Sequence, residues 1–92
     1  MQTRVAVMSI IVEDTEFAEE INSILHHYAK FVIGRMGLPY RQRKISIISV
    51  AVDAPQDVIS AMAGKIGRIP GVTIKTAYSN VTGEIDGAHT AE

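Results

Sequence analysis

Two apolar runs, Val5 to Val12 and Ile45 to Val52, each followed by an acidic helix start, leave this chain few ways to fold. Both runs are apolar at nearly every position and rich in β-branched residues, the pattern of strands covered on both faces. Behind the first come Glu13, Asp14, Thr15 and Glu16, where Asp14 caps a helix and the neighbouring carboxylates suit its positive end. Phe17, Ile21, Ile24, Leu25 and Tyr28 then recur at helical spacing. Behind the second run Asp53 reads as the cap, Pro55 falls in the first turn, and Gln56 completes a capping box. Val58, Met62, Ile66 and Ile69 continue as the apolar stripe, and Gly67 with Pro70-Gly71 ends it.

The halves can be laid over each other, Ser9-Ile-Ile-Val-Glu13 on Ser49-Val-Ala-Val-Asp53, with Ile33 to Arg41 as the joint. A second strand begins at Phe31 to Ile33, and Val72 to Tyr78 alternates like a half-exposed edge strand. The order is βαββαβ. Right-handed crossovers turn it into a four-stranded antiparallel sheet, strand order 4-1-3-2, with two helices on one face: an α+β, ferredoxin-like sandwich. Residues 1–80 form this one domain. Residues 81–92 lack periodicity and hold a lone Ile85, so they are expected to be a mobile tail.

At 92 residues a single core is barely sufficient, and association commonly adds stability. Two helices cover one face of the sheet, yet Ala6, Met8, Ile10 and Val12 point opposite to Val5, Val7 and Ile11, and both sets are apolar. We therefore expect homo-oligomers, dimer or tetramer, joined face to face or edge to edge, and place Met8, Ile10, Ile48 and Val50 at the interface.

Composition removes several functions. A net charge of −1 gives no field to draw nucleic acid or an anionic membrane. The absence of Cys excludes disulfides, thiolate nucleophiles and iron-sulfur clusters on this chain's own thiolates. The central strands carry no aromatic residue, as an RNA-binding sheet would require. Ser9, Ser46 and Ser49 sit inside strands without a nucleophile elbow, and we expect no enzyme. No pattern names a cofactor. The run Val5 to Val12 is too short to span a membrane and no signal pattern precedes it, so cytoplasmic residence is expected.

Gly34, Arg35, Gly37, Arg41, Arg43 and Lys44 form a basic segment punctuated by glycine. Glycines permit positive φ, and exposed amides with arginines hold phosphate or carboxylate; a hairpin connection with solvated cations accounts for the same residues. It matches neither a Walker loop nor a dinucleotide fingerprint.

The helix exit Ile66 to Val72 resembles that of the ACT-like regulatory domains, which also form the sensing half of nickel-responsive repressors. With Ile33-Gly-Arg-Met-Gly-Leu-Pro-Tyr-Arg41, Ile45-Ser-Ile-Ile-Ser49, Gly64-Lys-Ile-Gly67 and Pro70 to Ser79, the chain is similar over residues 4–79 to the small stand-alone family of iron-only hydrogenase system regulators. The resemblance implies an ACT-like regulator of transcription or metabolism that binds a small ligand or a protein partner at a subunit boundary. No DNA-binding segment is visible, since a helix-turn-helix needs helices that βαββαβ does not leave.

Two further sites follow from the likeness. Ligands of ACT-like domains often bind near the first strand-to-helix turn, here Asp14 and Thr15, although capping explains Asp14 by itself. The nickel repressors gather histidines across an interface, which would single out His26 and His27. Adjacent histidines point about 100° apart on a helix, however, and their place at its C-terminal end needs no metal; His89 lies in the tail.

Overall fold

The computed structural model describes residues 2–83. These form β1 (Thr3–Val12), α1 (Ala18–His27), β2 (Val32–Tyr40), β3 (Ile45–Ala54), α2 (Gln56–Gly67) and β4 (Val72–Gly83), with 3-10 turns at Thr15–Phe17 and Ala29–Phe31. The strands lie in the order β2-β3-β1-β4 with every neighbour antiparallel, which read from the other edge is 4-1-3-2. The ferredoxin-like α+β reading is therefore what the chain adopts.

The central pair sets the core. β1 and β3 are in register as Met8 opposite Val50 and Ile10 opposite Ile48, and these side chains share one face with Ala6, Val12, Val52 and Ala54. Ile21 and Leu25 of α1 close over them one helical turn apart, and Ile59, Met62 and Ile66 of α2 follow at spacings of three and four. Ile59, not Val58, leads the α2 stripe.

This corrects the expected interface. Met8, Ile10 and Val50 are 0% exposed and Ile48 is 8% exposed, all beneath the helices of their own chain, so none is available to a second copy. The open face belongs to the other parity: Val5, Val7 and Ile11 of β1, Ile47 of β3, and Met36, Leu38 and Tyr40 of β2.

Three boundaries also move. Asp53 does not cap α2, because β3 runs on to Ala54 and pairs Asp53 with Val5. Pro55 occupies the N-cap without a side-chain bond, and Gln56 instead accepts from Arg4 Nη1 at 2.9 Å and donates to Tyr78 Oη at 3.0 Å. The joint is not a loop: after a register shift between Val32 and Gly34, β2 runs on through Gly34 and Gly37, and the turn falls at residues 41–44, where Lys44 takes φ 57°. At the other end Thr3 and Arg4 supply partners that carry β4 to Gly83, past the expected strand end at Tyr78. The rest of the expected tail, His89 included, lies outside the described residues.

One contact joins the two ends of the repeat. Glu13 N donates to Gly71 O at 2.7 Å, and Gly71 has φ +74°, which brings its backbone against Asp14. The β1-to-α1 turn is thereby fastened to the α2-to-β4 turn.

Candidate functional site

The helices cover β1, β3 and β4 but not β2, and that overhang creates the site. Apart from half-buried Val32, every residue of β2 is exposed, although Arg35, Gly37 and Pro39 stand on the helix side, opposite Val50, Ile48 and Ser46. Between the overhang and the last turns of α1 lies a cavity of about 480 Å³ lined by Asn22, His26, Ile33, Gly34 and Arg35 among others. Asn22 and His26 are one helical turn apart and face β2 together.

Arg35 reaches back to α1, its Nη2 donating to Asn22 Oδ1 at 2.8 Å. One edge of the guanidinium is fixed this way, while the planar fork retains further N–H groups of the geometry that binds carboxylate or phosphate. Gly34 leaves the cavity unobstructed, since a Cβ built there meets no atom within 4 Å. Neither Gly34 nor Gly37 has a positive φ, so any backbone donors come from an extended strand edge and not from a glycine loop.

The structure brings Gly34, Arg35 and His26 together, and separates the other expected residues. Arg41 lies in the hairpin turn, six residues and about 20 Å along the strand from Arg35. Gly37 faces the helix side farther along the overhang. Asp14 and Thr15 follow β1, two strands away from β2, where Asp14 Oδ1 accepts from Glu16 N at 3.1 Å as a cap. Asp14→Ala is expected to lower stability by about 1 kcal/mol in a denaturant titration, in keeping with loss of a cap.

The histidines part company. His27 lies edge-on to the Tyr28 ring, centroids 5.0 Å apart, in a separate cavity of about 280 Å³ with Lys65, whose Nζ donates to Tyr28 Oη at 2.8 Å. Among the described residues no group of three or more His, Cys, Asp or Glu could hold a metal ion. No helix among them is long and apolar enough to cross a membrane.

Sequence reasoning misses Asn22, whose only signal is its spacing of four from His26. It also misses which sheet face is open. Ser9, Ser49 and Lys75 mark that face, since all three share its parity.

The family model for TM1266-like proteins, described as "Iron-only hydrogenase system regulator, putative", matches residues 4–76. The solved structure of the uncharacterized protein TM1266 from Thermotoga maritima is 35% identical, with a TM-score of 0.79 over 83% of this chain and 96% of that one. A formyltetrahydrofolate deformylase from Pseudomonas putida KT2440 superposes with a TM-score of 0.62 at 13% identity, over 84% of this chain and 29% of that chain, a likeness of fold alone. No curated protein matches the sequence. The family match runs from β1 into β4 and takes in both helices, the overhanging strand and the cavity beside it: the chain belongs to the TM1266-like family of iron-only hydrogenase system regulators.

Proposed function

We propose that this chain is a non-catalytic regulatory module of the iron-only hydrogenase system that works as a homo-oligomer and takes a small anionic ligand beside Arg35. The observation that carries this reading is the open sheet face. Val5, Val7, Ile11 and Ile47 on the central strands and Met36, Leu38 and Tyr40 on β2 are all exposed there, from 38% at Val7 to 66% at Met36. The three strands β1, β2 and β3, at about 4.8 Å spacing over eight residues at about 3.4 Å, make a face on the order of 400 Å², interrupted by Ser9 and Ser49 and bordered by Lys75 of β4. Its apolar part is comparable to the largest patches a monomer leaves in water. Covering about 300 Å² of apolar surface with a second copy is worth roughly 8 kcal/mol at 25 cal/mol per Å², before association costs that consume much of the gain.

Any effect on transcription then runs through a protein partner or a surface of the oligomer. The family description supports a regulatory role, and the Arg35 cavity supports a ligand that tunes it.

Sedimentation velocity and native mass spectrometry test the self-association. The parent chain should sediment as a dimer or larger, and Val7→Glu with Ile47→Glu should reduce the assembly mass at unchanged far-ultraviolet circular dichroism. A monomeric parent chain, or an assembly indifferent to both substitutions, sinks the reading.

A further inference from the structure

The net charge of −1 conceals a division within the chain. From Ile21 to Val52 there is no Asp or Glu, and this segment carries Lys30, Arg35, Arg41, Arg43 and Lys44, a net +5 that leaves −6 for the remainder. The fold keeps the two apart. Residues 21–52 are α1 beyond its first turn, β2, the hairpin turn and most of β3, so the cations gather around the edge strand. Glu13, Asp14, Glu16, Glu19 and Glu20 belong to the β1-to-α1 turn and the start of α1.

The division is sharpest at residues 41–44, where three of four residues are cations and all four side chains are exposed. Tyr40 and Ile45 close the ladder beneath them. Arg43 N donates to Tyr40 O and Lys44 N to Arg41 O, each at 3.2 Å, so the turn has a defined shape. Among the described residues no side-chain bond engages Arg41, Arg43 or Lys44. Lys44 takes φ 57°, the left-handed region that glycine or asparagine occupies at lower cost. Crowded like charges and a lysine in a glycine conformation both weaken folding, and an anionic partner would relieve the first.

We propose that this turn is a contact surface for the phosphate backbone of a nucleic-acid duplex, bound by charge and not by base sequence. A duplex carries about one negative charge per 1.7 Å of its axis, so each of three closely spaced cations finds a phosphate. An extended peptide with a carboxylate at every residue, about 3.4 Å apart, reaches only half that density. Single strands are held largely by stacking bases on aromatic rings, and Tyr40 is the one aromatic residue between Val32 and Ala54. The apolar side chains that a membrane would engage, Met36, Leu38 and Tyr40, belong to the open face assigned above to self-association. Backbone contacts need no recognition helix, so the missing helix-turn-helix is no obstacle.

The contact is short-ranged, because charges beyond about 10 Å are screened at 0.1 M salt. Glu13, Asp14 and Glu16 share this end of the sheet one strand inward, since Val12 pairs with Ser46, and they turn the β2 side toward the duplex. Each copy in a homo-oligomer brings one such turn, so assembly multiplies the contact. The contact itself rests on neither that assembly nor the Arg35 ligand.

Fluorescence anisotropy of a labelled mixed-sequence DNA duplex of about 20 base pairs tests it. The parent chain should bind at about 50 mM salt, with log affinity falling against log salt at a slope of roughly −3. Arg41→Ser with Arg43→Ser should reduce the slope by about 2 and weaken binding by about tenfold or more. Lys65→Ser with Arg68→Ser removes the same charge from α2 and should change affinity by less than about twofold. Lys44→Gly should weaken binding by about threefold while raising the melting temperature by about 4 °C, since it removes a phosphate contact and a left-handed lysine together. Absence of binding by the parent overturns the proposal, and equal losses from the two double variants overturn its placement at the turn. Displacement of the DNA by poly-glutamate or by phosphatidylserine vesicles at equal charge assigns the turn to an acidic protein or a membrane instead. Self-association is read separately, by sedimentation of Val7→Glu with Ile47→Glu; a monomer that binds the duplex keeps this proposal and sinks only that one.

Discussion

Ile10→Glu should abolish the cooperative unfolding transition, and Ile48→Glu directly opposite should do the same. Both side chains lie between the sheet and the helices, at 0% and 8% exposure, and Ile10 is flanked on its other side by Ile74 of β4. A carboxylate placed there has no cation or water to meet and must either protonate or break the layer apart, at a cost of several kcal/mol. A domain of this size has only about 5–15 kcal/mol in total. Ile11 and Ile47, one residue along on the same strands, face the open side and should accept glutamate with the fold intact. Thermal melts followed by circular dichroism check the pair. A well-folded Ile10→Glu chain with a melting point near that of the parent would mean that the core has been assigned to the wrong face.

Gly71→Ala is the second large effect. Gly71 adopts φ +74°, a region costly to residues with a side chain, and an added Cβ would stand 2.8 Å from Asp14 Cβ and 3.2 Å from Asp14 N. The backbone cannot simply withdraw, because Gly71 O accepts from Glu13 N at 2.7 Å. Strain and the lost contact together should cost about 3 kcal/mol, which for a domain this small lowers the melting temperature by roughly 15 °C. Gly34→Ala, in open space with an ordinary φ, is the matched control and should change the melting temperature by no more than a degree or two. Equal losses at both positions would remove the steric explanation.

The topology is legible in the sequence because two largely apolar strands, two helical stripes and a proline-glycine exit admit little besides βαββαβ. The sheet's facing is harder. Both parities of β1 and β3 are apolar, so alternation gives almost no signal, and the deciding residues are few: Ser9 and Ser49 oppose each other at the middle of the open face, with Lys75 beside them. Polar residues tolerated in the middle of a central strand mark the side without helices. The extent of β2 is hidden for a different reason. Two glycines and a proline in Ile33 to Tyr40 carry the local signature of a turn, and the ladder to β3 overrides it by pairing every residue from Gly34 to Tyr40. The cavity combines Arg35 and His26 from separate elements with Asn22, whose bond to Arg35 spans thirteen residues and leaves no local trace.

The overhang of β2 also separates two kinds of mutational constraint. Apart from Val32, which packs against the core's margin, none of its side chains takes part in the buried cluster. Substitutions from Ile33 to Tyr40 therefore combine nearly additively with changes in the core and hardly touch its stability. Three strands of the four are held fixed by folding, while the last is free to be rewritten. A lineage built on this scaffold can exchange what it recognises along that edge without having to re-evolve the protein that presents it.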